Sequence, residues 1–205
     1  MHVQQNDPGE LLEILDADGR ATGQAQSRAA IHLNGEWHTA FHCWIVREGG
    51  RQVVLQRRSF LKDTYAGCWD AAAAGHWRFG ESAEEAAREI SEELGISVDF
   101  ATLVYRGRER AERAFDNGLI DREFHEVYVL ASELPLHIYR PDPAEVIALA
   151  AFRADELLGD AAIVHAVEAV AVAPDGSLSP TTVAARREEF VPYPADRLRR
   201  MLGRA

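Results

Sequence analysis

The sequence predicts an α+β fold, a mixed β-sheet sandwiched by helices, and three observations carry that prediction. From 37 to 46, Trp37, Thr39, Phe41, Cys43 and Ile45 alternate with His38, Ala40, His42, Trp44 and Val46, a strand largely apolar, and so covered, on both faces. From 82 to 95, Ala83, Ala87, Ile90 and Leu94 recur at three- and four-residue steps, the period of a helix with one buried face. Turn signals around Gly19, Gly118 and Gly176 separate further apolar runs, as hairpins require.

Taken in order, residues 1–9 are polar, contain Pro8-Gly9 and form a frayed lead-in. Residues 10–15 and 21–26 flank the turn at 16–20 as a hairpin. Ser27 caps a short helix over 27–33 that Asn34-Gly35 stops. The strand at 37–46 turns at 48–51 and returns as 52–58, ending on Arg57-Arg58. Residues 60–69 have turn and aromatic character, and 70–75 form a small-residue strand leading into the helix. Ser82 and Glu85 have the spacing of a capping box, and Gly95 stands where a helix ends in a left-handed residue.

Beyond the helix, 97–108 and 122–131 are strands around a polar loop at 109–121. Residues 135–143 connect to a strand at 145–152 and a short helix from 154 to 158. A second hairpin spans 164–172 and 178–185, and 195–202 form a basic amphipathic helix docked on the domain. The chain, 1–205, is expected to be one domain, with 10–35 and 160–205 as additions at its two ends.

Composition narrows the function. At 205 residues, with 47% hydrophobic and 27% charged positions, the chain suits one packed globular domain. Its 33 acidic residues against 22 basic ones, a net charge of −11, leave no broad basic surface, so polymeric DNA or RNA is not an expected partner. Cys43 and Cys68 have neither metal spacing nor a disulfide pattern, as expected of free thiols in a reducing cytoplasm. With no basic-then-apolar leader and no apolar run of ~18 residues, the expected location is cytoplasmic and away from membranes. The oligomeric state is open between a monomer and a homodimer.

The helix at 82–95 concentrates the chemistry. Glu85/Glu89 and Glu89/Glu93 are like-charge pairs at i,i+4, each destabilising by roughly 0.2–0.5 kcal/mol. Such a cluster calls for a cation, and Mg²⁺ takes carboxylates together with substrate phosphates. The plain alternative is a solvated acidic helix whose first-turn acids suit the helix dipole.

The order of residues favours the first reading. Gly75, five residues, Glu81, then Arg88-Glu89-Ile90-Ser91-Glu92-Glu93-Leu94-Gly95-Ile96 resembles the Nudix box. The resemblance implies an α/β/α sandwich, Mg²⁺ or Mn²⁺ held by Glu89, Glu92 and Glu93, and an Arg88 that orients them. It also implies hydrolysis of a diphosphate linkage in a small phosphorylated metabolite, such as a nucleoside di- or triphosphate or a nucleotide derivative. Six residues separate Glu81 from Arg88 where the family usually has seven. Exposing Ile90 and Leu94 would cost up to roughly 1.5–3 kcal/mol each, against about 1 kcal/mol for a lost N-cap. The shortening is therefore expected to fall around 82–85, displacing Glu81 and leaving Glu89, Glu92 and Glu93 on the metal side.

Within the superfamily, residues 55–69 with Ala74-Gly75-His76 are most similar to the isopentenyl-diphosphate isomerase branch, over roughly residues 10–152. Those isomerases carry a cysteine where Ala74 stands, and alanine has no group to move a proton. Their metal is held by histidines and glutamates to which His38, His76 and Glu126 correspond, with Phe124 in place of a second Glu. Arg58 and Lys62 correspond to diphosphate-binding residues, and both are chemically apt for phosphate oxygens; the plain alternative is a pair of solvated charges. His76 borders the site. Glu126 is the expected auxiliary ligand or general base, with Glu123 and Glu145 as alternatives. Trp69, Trp77 and Phe79 are candidates to stack on a base, or core aromatics. The other functions left open are an isoprenoid-diphosphate isomerase and a non-catalytic nucleotide sensor.

Overall fold

The structure, a computed structural model, describes residues 10–202; the lead-in at 1–9 lies outside them. Strands β1 (Leu11–Leu15) and β2 (Ala21–Ser27) form the first hairpin, and helix α1 (Arg28–Asn34) follows. The Ser27 hydroxyl accepts from the Ala30 amide, and Gly35 closes α1 at φ 66°. Next come β3 (Trp37–Arg47), β4 (Gln52–Arg58), β5 (Trp69–Asp70) and β6 (Ala73–His76). The acidic segment is α2 (Ala83–Ala86) and α3 (Arg88–Leu94), followed by the long hairpin β7 (Val104–Ala114) and β8 (Ile120–Ala131). The described residues end with β9 (Val146–Arg153), α4 (Ala154–Leu158), β10 (Ile163–Val172), β11 (Leu178–Pro180), β12 (Ala184–Arg186) and α5 (Ala195–Leu202).

The sheet is mixed. β3 runs parallel to β8 in unbroken register from Trp37↔Arg122 to Val46↔Ala131, while its other pairings are antiparallel. Side-chain alternation along β3 and β8 feeds two cores. Phe41, Cys43, Ile45, Tyr128 and Leu130 pack under Ile90 and Leu94 of α3. Trp44, Val127 and Val129 pack on the other face with Leu157 of α4 and Leu202 of α5. The predicted α/β/α sandwich is the fold observed.

Several expected boundaries move. The polar loop at 109–121 is mostly strand: β7 continues through Ala114, because Arg and Glu at alternating exposed positions of a two-stranded ribbon need no core. Residues 97–103 hold a 3₁₀ turn, Phe100–Thr102, capped by Asp99, so β7 begins later than expected. The small-residue strand divides into β5 and β6, and the return strand of the second hairpin divides into β11 and β12.

The box helix corrects a sharper expectation. Ile90 and Leu94 are buried, as packing demands, but the Ser82–Glu85 capping box is intact. The irregularity sits instead at Ala87, where the Ile90 amide bonds back to the Ala87 carbonyl at 3.1 Å. This i→i+3 bond overwinds the chain between α2 and α3, a smaller loss than surrendering both reciprocal cap bonds.

Candidate active site

β3 and β4 pair only from Ile45↔Val54 to Arg47↔Gln52 and then diverge. The wedge between them is filled by β5 on β4 and β6 on β3, and a cavity of about 570 Å³ opens there. Its walls include Arg58, Lys62, His76, Glu89, Glu92, Glu93, Glu123 and Glu145. Eight of the residues that the sequence nominates for chemistry therefore meet at one place, brought from five separate stretches of chain.

The helix side is built on Gly75. A Cβ there would fall inside the Glu89 carboxylate, so the glycine is required by close approach rather than by its backbone angles. Glu93 sits one turn on, buried, with Oε2 accepting from Gln56 Nε2 at 2.8 Å and from the Ala74 amide at 2.9 Å. Burial, opposed by Arg88 and reinforced by Glu93 and Glu92, pushes the Glu89 carboxyl up to about 8. Arg88 donates to Glu89, to Glu92 at 3.0 Å, to the His76 carbonyl at 3.2 Å and to Glu81 at 2.8 Å. Burial alone would lower the guanidinium, but Glu89, Glu81 and Glu92 together keep it charged. Glu81 is thus drawn onto Arg88 and away from the cavity, and it takes the Arg78 amide as well.

Arg58 and Lys62 are among the cations that face these acids. Arg58 donates to Asp70 Oδ2 at 3.0 Å and to the Thr64 carbonyl, while Lys62 pairs with Glu145 and stands 3.7 Å from Glu93 Oε1. Burial, against the pull of Glu93, lowers the Lys62 ammonium.

A third group was only partly visible in the sequence. The rings of His32, His38 and His76 lie 5.1–5.3 Å apart, with Asp121 and Glu123 beside them. Burial pulls His32 down to about 4, which keeps its imidazole neutral and its lone pair available. Its Nε2, the Nε2 of His38 and Oδ1 of Asp121 are buried without hydrogen-bond partners. The separations among these groups, 3.6–3.8 Å, are too long for hydrogen bonds. With metal–ligand bonds of ~2.1 Å, atoms sharing a cation stand roughly 3–4 Å apart, so this donor set fits a divalent ion.

Among the described residues, the groups whose ligand atoms all lie within 4.8 Å of one another are His32/His38/His76, His42/Glu123/His125 and His38/Asp121/Glu123. Glu89, Glu92 and Glu93 line the cavity but do not converge to that degree, since Arg88 holds Glu89 and Glu92 while Glu93 is turned to Gln56.

Glu126 is not brought to the cavity. Strand alternation sends Glu123 and His125 to the cavity face and Glu126 to the opposite one, where Tyr105 and Arg108 take its oxygens at 2.6 and 2.5 Å. The pair that strand alternation puts on the cavity face is therefore Glu123 and His125, which join His42 as a donor group, and the histidine donor set is fuller than the sequence implied. Trp69 is core, and Trp77 bonds to the Glu81 carbonyl while packing under α3; neither these nor Phe79 lines the cavity. His32, His42, Asp121, His125 and Tyr193 were missed. The alternation of β3 and β8 was the one signal for His42 and His125.

Residues 36–171 match the NUDIX domain. The chain belongs to the Nudix family. It is 37% identical over 150 residues to an uncharacterized Nudix hydrolase of Clostridium acetobutylicum, covering 72% of each chain. It is also 34% identical over 146 residues to an isopentenyl-diphosphate Delta-isomerase of Mycolicibacterium vanbaalenii, covering 70% of this Nudix chain and 77% of that one. A crystal structure of a Deinococcus radiodurans protein superposes with a TM-score of 0.54 at 22% identity, over 73% of this chain and 86% of the other, a likeness of fold. No helix among the described residues is long and apolar enough to cross a membrane.

Proposed function

We propose that this Nudix protein hydrolyses a diphosphate linkage in a small phosphorylated metabolite with the help of Mg²⁺ or Mn²⁺. The observation that supports the reading is the opposition, across one cavity, of Arg58 and Lys62 to Glu89, Glu93 and the histidine donors. A divalent ion bound there would polarise phosphoryl oxygens and lower the pKa of a water. Either Glu89, Glu92 and Glu93 or His32, His38, His76, Asp121 and Glu123 would hold the ion. Arg58 and Lys62 would grip the diphosphate, Arg88 fixes the glutamates, and Glu93, buried beside Lys62, would accept the proton of the attacking water. Besides histidines, the aromatic side chains lining the cavity among the described residues are Tyr65 and Tyr193, so a nucleoside would rest on them and not on the tryptophans.

Proton transfer at carbon fits less well, because Ala74 lines the cavity with nothing to titrate and Cys68 is not among the lining residues. Assaying a panel of phosphorylated metabolites with Mg²⁺ and Mn²⁺ tests the reading. Release of phosphate or pyrophosphate supports it, double-bond migration favours an isomerase, and binding without turnover favours a sensor. Chelation is expected to abolish turnover and re-addition of Mg²⁺ or Mn²⁺ to restore it; activity that survives exhaustive chelation would remove the metal from the scheme.

Arg58→Ala and Lys62→Ala are each expected to raise KM about tenfold or more with a smaller change in kcat, the scale of a lost charged hydrogen bond. Steady-state kinetics checks this. Unchanged KM in both variants would mean that the diphosphate lies elsewhere.

A further inference from the structure

The cavity is closed at one end by chain from outside the family match. Phe190 bridges to Trp69, the Val191 amide bonds the Trp69 carbonyl at 2.9 Å, and residues 191–194 then cross the cavity wall. Pro192 and Pro194 fix the backbone on either side of Tyr193. Tyr193 donates to Asp70 Oδ1 at 2.5 Å, and its oxygen lies 3.4 Å from His42 Nδ1. Asp70 is the residue that holds Arg58, so the ring stands next to the proposed diphosphate grip.

Behind this strap lies a second hollow of about 120 Å³, with Trp44, Leu55, Trp69, Leu157, Phe190 and Leu198 among its walls. Asp70, Val191, Pro192 and Tyr193 line both spaces. They form the partition between a charged cavity and a largely apolar one, whose wall also holds Arg187, and Tyr193, braced edge-on against Trp44 at 5.2 Å, is its bulkiest member. Residues 191–194 are also the longest unbroken uncharged stretch in the cavity wall, so an organic group attached to a held diphosphate finds its apolar contact there.

We propose that Tyr193 is a specificity-determining residue. It receives the non-phosphate group of the substrate and limits its size by sealing off the apolar hollow. This rests on the diphosphate reading given above. Shrinking the side chain joins the two spaces and gives a longer apolar group somewhere to go. Each methylene taken from water is worth roughly a fourfold factor in affinity, so two or three entering the hollow exceed tenfold.

The test is calorimetric binding of methyl, butyl and hexyl diphosphate with Mg²⁺ to the full chain and to Tyr193→Ala, Tyr193→Leu and Tyr193→Phe. The ratio of hexyl to methyl affinity is expected to rise at least tenfold in Tyr193→Ala, less in Tyr193→Leu, and to stay near wild type in Tyr193→Phe, which keeps the ring. An unchanged ratio in Tyr193→Ala overturns the proposal. Loss of methyl diphosphate binding in Tyr193→Ala and Tyr193→Leu alike also overturns it, making Tyr193 a brace for Asp70 and Arg58 rather than a wall. If the wild-type chain binds none of the three, the diphosphate reading itself falls, and this proposal with it.

Discussion

Glu93→Gln is expected to lower turnover by about 10²-fold or more, the scale of a lost catalytic or charge-positioning group, while the fold survives. The side chain is nearly isosteric, and its environment can accept an amide. The carboxylate now takes hydrogen bonds from Gln56 and the Ala74 amide, and a carbonyl oxygen can keep at least one of them. The new NH₂ has a nearby acceptor in Gln56 Oε1, which is buried and has no hydrogen-bond partner. The lost property is the negative charge facing Lys62. Steady-state kinetics beside a thermal melt decides the matter: near-normal kcat with an unchanged melt would remove the acidic helix from the mechanism. A comparable loss in Glu81→Gln would point to Arg88 and Arg78, the two residues through which Glu81 reaches the cavity.

What the sequence made legible was local or periodic. Ser27 and Gly35 mark α1 because capping is settled by a few neighbouring residues. β3 stands out because its alternation runs over the whole strand, and α3 because Ile90 and Leu94 fix which side goes in. The ordered box motif located the cavity for the same reason. What escaped depended on distant chain. Asp121 and His32 meet His38 only through the parallel pairing of β3 with β8 and the packing of α1, which no window of sequence contains. Glu126 was preferred over Glu123 although strand parity separates them, and a one-residue difference in phase reverses the face. Tyr193 belongs to a segment whose own composition names no partner; Trp69 and Asp70, more than a hundred positions earlier, give it one. The break at Ala87 was misplaced because the cap was judged weaker than the helix interior, whereas its bonds are reciprocal and a single i→i+3 turn overwinds the chain without breaking them.

Gly95→Ala is expected to destabilise the protein by about 3 kcal/mol or more, well beyond the ~1–2 kcal/mol of left-handed backbone strain alone. The sequence marks Gly95 as a helix terminator, and its φ of 63° agrees. The structure adds a second demand. The loop at 135–143 folds onto the end of α3, where the Arg140 amide takes the Leu94 carbonyl at 2.9 Å and the Asp142 amide takes the Glu93 carbonyl at 3.2 Å. These bonds satisfy carbonyls that a helix end leaves open, and they bring the Arg140 backbone so close that a Cβ on residue 95 would collide with its carbonyl oxygen and lie 2.6 Å from its Cβ. Either the loop retreats and uncaps the helix, or the last turn shifts and carries Glu93 with it. Gly118, at φ 86° with nothing within 4 Å of an added Cβ, isolates the strain contribution. Urea unfolding of Gly95→Ala and Gly118→Ala side by side provides the measurement, with native stabilities of ~5–15 kcal/mol leaving room to resolve the difference. Equal shifts in the two midpoints would show that the loop contact adds nothing. A larger shift for Gly95→Ala, accompanied by lost turnover in whatever protein remains folded, would show that the loop holds Glu93 at the cavity.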